Sequence, residues 1–121
     1  MGIPELKLST QGAPEDEYRR ARERFIRWWW TGLRSARCYA DLSWRTRRLE
    51  SELNAAGYCT RLLDEDAEHM IAIGIDGTDE AITVQSYWDD ESGPGVAALF
   101  VTQHNRLSLA IGADGLVAQL I

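Results

Sequence analysis

The sequence has few of the residues from which metal centres and nucleophilic sites are built. Its 121 residues include only two cysteines and two histidines. Cys38 and Cys59 are too few for a disulfide framework, and no neighbouring residues complete a zinc ligand set. We therefore predict two free thiols that behave as small buried apolar residues, and we expect no metal ion.

Signals for other reactive sites are also missing. The ten glycines are scattered among turns, so no glycine-rich phosphate loop is present. No Gly-x-Ser-x-Gly motif marks a serine nucleophile. The acidic stretch from Asp64 fails as an EF-hand, because the positions that need glycine and glutamate hold His69 and Ile75. We expect no cofactor.

Long hydrophobic runs are absent as well. No stretch approaches the roughly 20 apolar residues of a membrane-spanning helix. The N-terminal residues lack the basic and then apolar order of a signal peptide. We expect a cytoplasmic protein without a membrane partner.

What the sequence does contain is an uneven distribution of charge. Residues 1–50 carry eleven basic and seven acidic residues, whereas residues 51–121 carry two basic and twelve acidic residues. The two parts therefore have net charges of +4 and −10, which give −6 for the chain. An acidic balance favours solubility over nonspecific binding to nucleic acid. The split indicates two structural layers of unlike composition.

Hydrophobic spacing predicts that the first layer is helical. Residues 15–56 contain no proline and place apolar residues at steps of three and four, which predicts one long helix, or a kink or two consecutive helices with the break near Gly32. Three acids at the start complement the helix dipole. Residues 1–14 are predicted to form an N-terminal arm or a short strand.

The second layer has the pattern of an antiparallel sheet. Residues 58–121 form alternating segments joined by turns such as Asp76-Gly77, which predict a meander of five or six strands. A helical layer followed by a run of strands indicates an α+β fold. We expect a single domain, residues 1–121, in which the helical layer covers one face of the sheet.

Alternation along the strands divides their side chains between two faces. One set is strongly apolar and is predicted to lie beneath the helical layer. It comprises Ile71, Ile73, Ile75, Ile82, Val84, Trp88, Leu107, Leu109 and Ile111. The other set is small or semi-polar and carries no charge. It comprises Met70, Ala72, Gly74, Thr83, Gln85, Tyr87, Ser108 and Ala110, together with Phe100 from a strand that is apolar on both sides.

The uncharged set is typical of a surface that meets another molecule rather than water. We predict that a partner protein or a second copy contacts Met70, Gln85, Tyr87 and Phe100. The alternatives are cover by the N-terminal arm or a second helix, and a pocket for a small ligand.

Three adjacent tryptophans occupy the middle of the helical layer. They span about 200° of a helix, so they cannot all enter one core unless both layers wrap around it. We assign Trp29 to the core. Trp28 or Trp30 is the candidate interface residue, because tryptophan is frequent among binding hot spots.

Arginine is the dominant basic residue of the helical layer. Arg45, Arg47 and Arg48 are candidate contacts for phosphate or for an acidic partner, because arginine suits both and is interleaved with Trp and Tyr. The plainer interpretation is a solvated helix face whose arginines pair with nearby acids.

These features favour a noncatalytic protein-binding domain, such as a small acidic inhibitor, an immunity protein or a chaperone. Its partner is expected to be another protein or a second copy of the chain. The first alternative is a small-ligand binding domain or an enzyme with a pocket between helix and sheet, to which Tyr87, Gln85 and His104 would contribute polar groups. The second alternative is a nucleic-acid binder that uses the arginine-rich helix.

Overall fold

The computed structural model of the chain describes residues 2–6, 15–66 and 69–120. Two helices come first and are followed by a six-stranded sheet. The elements are α1 (Glu15–Leu33), α2 (Tyr39–Ala55), β1 (Cys59–Asp66), β2 (Met70–Asp76), β3 (Ala81–Asp89), β4 (Gly93–Val101), β5 (Arg106–Ile111) and β6 (Val117–Leu120). The predicted α+β architecture, a helical layer on an antiparallel sheet, is confirmed.

The helical layer is two consecutive helices, one of the predicted arrangements, with the break just after Gly32. α1 ends at Leu33, whose carbonyl accepts a hydrogen bond from the Ala36 N–H at 2.9 Å, and α2 begins at Tyr39. Gly32 lies where the helices approach, since a Cβ there would be 2.8 Å from the Leu49 side chain. α1 then packs on β4 and β5, while α2 packs on β1, β2 and β3.

Part of the N-terminal arm packs on the core. Leu6 is buried, and its N–H donates to the Tyr58 hydroxyl at 3.3 Å. Residues 2–6 take up no helix or strand. The rest of the predicted arm, Met1 and residues 7–14, lies outside the described residues.

The sheet is a meander in which each strand pairs antiparallel with the next, in the order β1 to β6. Its turns follow the predicted chemistry, as at Gly77, where a φ of +95° closes the turn after β2. The two edge strands differ. β1 carries a bulge between Leu62 and Asp64, and β6 has only four residues.

The core lies between the helices and one face of the sheet. The predicted apolar set faces the helices, with isoleucines 71, 73 and 75 at 0–1% exposure. Trp29 is fully buried, as predicted, and its indole N–H donates to the Ser86 hydroxyl at 2.9 Å. Phe25 joins it to the sheet through an edge-on contact with Phe100, with ring centroids 5.9 Å apart.

A buried ion pair crosses this core. Arg22 of α1 and Glu80, the residue before β3, form a salt bridge with both side chains 1% exposed. The Tyr18 hydroxyl donates to the other Glu80 oxygen at 2.7 Å. The Arg22 guanidinium also lies over the rings of Tyr18 and Phe100, at 5.4 and 5.7 Å from their centroids. Burial raises the pKa of Glu80, and the Tyr18 hydrogen bond and Arg22 oppose that shift.

The tyrosines predict a loss of stability at alkaline pH. The pKa of Tyr18 is raised by burial and by its contacts with Glu80, that of Tyr39 by burial and nearby Glu65, and that of Tyr87 by burial. In the unfolded chain these phenols ionise near pH 10. Above that pH the unfolded state therefore holds fewer protons than the native state, and the free energy of unfolding falls as pH rises.

Urea unfolding at pH 8, 9, 10 and 10.5 checks this expectation. The midpoint should hold steady up to about pH 9 and then decline. Tyr18→Phe removes one contributor and should flatten the decline. An unchanged slope in that variant would contradict the assignment to Tyr18.

The two cysteines are free but not buried. Cys38 immediately precedes α2, and Cys59 begins the edge strand β1; both side chains are exposed. The predicted burial is therefore wrong. Both residues lie at the end of an element, where the chain enters from solvent.

Candidate protein-binding surface

The face of the sheet opposite the helices is open in the described part of the chain. We call it the open face. By strand register it is formed by Met70, Ala72, Gly74, Thr83, Gln85, Tyr87, Gly95, Ala97, Leu99, Val101, Ser108, Ala110, Ala118 and Leu120, with charged residues at its margin: Arg61, Asp64 and Asp66 of β1, together with Asp76, Asp89 and Arg106. Thr83, Gln85, Ala97, Leu99 and Ser108 remain partly exposed, whereas the residues that alternate with them beneath the helices are buried.

The centre of the open face carries no formal charge. Small side chains dominate it, and a shallow depression of about 240 Å³ lies between β3 and β6. Leu99 lines that depression and is paired with Thr83 on one side and Ser108 on the other. The charged side chains lie around the margin, along β1 and at Asp89 and Arg106. Arg61 pairs there with Asp76 at 3.2 Å. A centre without charged side chains and a charged margin is the composition that interfaces between proteins have.

Tyr87 lies across the face towards β4. A Cβ at Gly95 would overlap the Tyr87 ring, so glycine there leaves the room in which the ring lies against the strand. Burial raises the pKa of the Tyr87 phenol, and nearby Asp89 adds to the rise. The phenol is therefore neutral at physiological pH and can donate a hydrogen bond.

Polar groups on the open face are left without partners inside the described chain. The side chains of Thr83, Gln85, Tyr87 and Ser108 make no hydrogen bond among the described residues. A molecule that covered this face would have to satisfy them or leave them exposed at its rim.

The structure places three of the four predicted sheet contacts on this face. Met70, Gln85 and Tyr87 lie there, but Phe100 does not. Phe100 is fully buried beneath the helices, because β4 pairs it with Ile82 and Leu107. Its assignment to the uncharged face was wrong, and Leu99 takes that place.

Of the two candidate interface tryptophans, Trp28 lies in the core and Trp30 is only partly buried. Trp28 is 9% exposed and packs against Phe25 and Trp29, with ring centroids 6.1 Å from each. The core is therefore wide enough to hold both, and Trp28 is not available to a partner. Trp30 is partly buried and lines a wide surface cleft with Pro94. The most exposed tryptophan is Trp44, at 57%, which helical spacing had not singled out.

The candidate phosphate contacts on α2 are mostly paired with acids. Arg45 bonds to Asp41 at 3.2 Å, and Arg47 bonds to Glu50 at 3.3 Å. Arg47 also reaches Glu65 of the sheet edge at 3.6 Å. Arg48 instead lies over the Trp44 ring, 5.6 Å from its centroid. These contacts match the plainer interpretation of a solvated, salt-bridged helix face.

The three candidates for a polar pocket do not converge. Tyr87 and Gln85 lie on the open face, not between helix and sheet. His104 is in the exposed turn after β4, at the opposite end of the strands from Tyr87. Ala81 is the residue of β3 nearest the turn that holds His104. Tyr87 lies six residues further along β3, a distance of about 20 Å. A single small ligand would not bridge them.

Within residues 2–6, 15–66 and 69–120, no group of three or more His, Cys, Asp or Glu residues is placed to hold a metal ion. Neither of the described helices is both long and apolar enough to cross a membrane.

Comparison with known proteins gives no relative to reason from. No protein-family model matches the chain, and neither the curated proteins nor the solved structures include a significant match. The assignment of function therefore depends on the chain's own residues.

Proposed function

We propose that the chain is a noncatalytic protein-binding domain and that the open face is its binding surface. The observation that carries the proposal is the uncharged, partly exposed centre of that face, which no described element covers. Small acidic inhibitors, immunity proteins and chaperones are the classes of protein that act in this way. We place this acidic domain among them, in the cytoplasm.

The alternatives have less support in the described residues. A pocket enzyme would need convergent polar groups, whereas Tyr87 and His104 lie at opposite ends of the sheet. A nucleic-acid binder would need unpaired cations along one surface, whereas Arg45 and Arg47 already pair with carboxylates.

Photo-crosslinking tests the proposal at the level of single positions. A purified chain with benzoylphenylalanine in place of Leu99, at the centre of the open face, is irradiated in an extract of its source cells. The matched control carries the same group in place of Leu62, which is 45% exposed and lies on the helix side of β1. We expect a discrete protein adduct from position 99 only.

Competition distinguishes specific contact from chance contact. Excess unlabelled wild-type chain should suppress the adduct at position 99, and excess Leu99→Arg should not. Adducts that form equally from position 62, or that survive competition by the wild type, would refute the open face as the binding surface.

A further inference from the structure

We infer that the protein that fills the open face is a second copy of this chain, packed sheet against sheet about a two-fold axis. This inference rests on the proposed function, because it names the partner of the same surface. It is argued from the size of the face, its uncharged centre and the polar side chains there that have no partner among the described residues.

The face has the size that a stable dimer needs. Six strands about 4.8 Å apart and about seven residues long span roughly 24 by 24 Å, an area that includes the charged margin along β1. Two such faces in contact would bury about 1,200 Å² in total if each is treated as a plane. The side chains that project from the plane add to this area. Stable interfaces between proteins begin at about that area.

Charge favours this face over the rest of the surface for self-association. Each copy has a net charge of −6, so two copies repel one another where their carboxylates meet. The centre of the open face carries no carboxylate and no cation, so two copies can meet there without an unpaired charge. A different protein could not be recognised through charge at the centre of the open face, because that centre offers no charged group.

The side chains of the open face also suit sheet-on-sheet packing. Alanines 97, 110 and 118 form a low row across β4, β5 and β6, and the depression beside Leu99 can receive a side chain from the opposite copy. Two sheets pack face to face about 10 Å apart. In the resulting dimer Thr83, Gln85, Tyr87 and Ser108 would find hydrogen-bond partners across the interface, with both helical layers outside.

Sedimentation equilibrium on the purified chain tests the inference. We expect a mass twice the 13.7 kDa of one chain for the wild type. Leu99→Arg should sediment as a single chain, because two arginines would be buried face to face. Its dimerisation should weaken by about 100-fold or more. Thr83→Lys, on the neighbouring strand, gives a second variant should the first fail to fold.

Leu62→Arg is the matched control, since it makes the same change on the helix side of β1. It should remain a dimer, and circular dichroism should show all variants folded. A wild type that sediments as one chain at every concentration would overturn the inference, as would a dimer that survives both Leu99→Arg and Thr83→Lys.

The inference and the proposed function fail in different ways. A wild type of single-chain mass whose position 99 still crosslinks to another protein removes the inference and keeps the proposed function. A wild type of single-chain mass with no specific adduct at position 99 removes both.

Discussion

Replacement of Glu80 by alanine is expected to lower the free energy of unfolding by about 3–5 kcal/mol. The change leaves the Arg22 guanidinium, only 1% exposed, without its counter-charge inside the core. It also removes the acceptor of the Tyr18 hydroxyl. Each loss leaves a buried polar group without a partner. The free-energy cost of such a group is larger than the stability that the intact interaction contributes. Urea unfolding followed by circular dichroism measures the difference.

The control is an exposed ion pair on the same helix. Arg19 and Glu23 lie 3.0 Å apart with side chains 44% and 29% exposed, so Glu23→Ala should cost no more than about 1 kcal/mol. A double replacement, Arg22→Met with Glu80→Leu, should recover most of the loss, because both buried charges are gone. Equal effects of Glu80→Ala and Glu23→Ala on the free energy of unfolding would contradict the expected cost of leaving the buried Arg22 without a counter-charge.

Trp29→Ala should be the most damaging change in the aromatic core, with a cost of about 3–5 kcal/mol. The indole is fully buried and contacts Phe25 and Trp28, with ring centroids about 6 Å apart. Its removal opens a cavity and leaves the buried Ser86 hydroxyl without its donor. Trp29→Phe keeps much of the volume and should cost less, which separates the cavity from the hydrogen bond.

Trp44→Ala provides the comparison for Trp29. Trp44 is 57% exposed on α2 and packs chiefly against Arg48, so its removal should change the free energy of unfolding by less than about 1 kcal/mol. The same urea titration serves both variants. A loss at Trp44 as large as that at Trp29 would contradict the assignment of the core to the inner side of the helices.

The fold followed from periodicity because the two layers have unlike patterns. The steps of three and four through residues 15–56 and the alternation after Gly57 each identify one kind of element. Turn residues such as Gly77 then gave the meander, since short connections require antiparallel neighbours. The break between the helices could be anticipated near Gly32, but the periodicity does not give its length, and the close approach of the Leu49 side chain to Gly32 appears only in the folded chain.

The open face was only partly predictable, for a reason that lies in β4. Residues 96–101 are apolar on both sides, so alternation alone cannot say which set faces the helices. The pairing of Phe100 with Ile82 decides it, and that pairing depends on the length of the turn after Asp89. Alternation in β2 and β3 is clear, and there Met70, Gln85 and Tyr87 were assigned to the correct face.

The buried ion pair had no signal in the sequence. Arg22 looks like any of the other arginines of α1, and Glu80 lies in a turn where acids are ordinary. Only the tertiary structure brings them together and excludes water from both. The same limit applies to Trp28, whose burial depends on a core wide enough to hold two adjacent tryptophans.

The two edges of the sheet decide how far association can extend. A regular edge strand offers free N–H and C=O groups to the next molecule, which leads to open-ended fibres. Here the bulge between Leu62 and Asp64 interrupts one edge, beside the acidic run Asp64 to Asp66, and the other edge is a strand of four residues. Growth by strand addition is therefore disfavoured at both ends. In the proposed dimer, association through the sheet face closes after two copies, so we expect a high concentration of this protein to yield discrete particles rather than polymers.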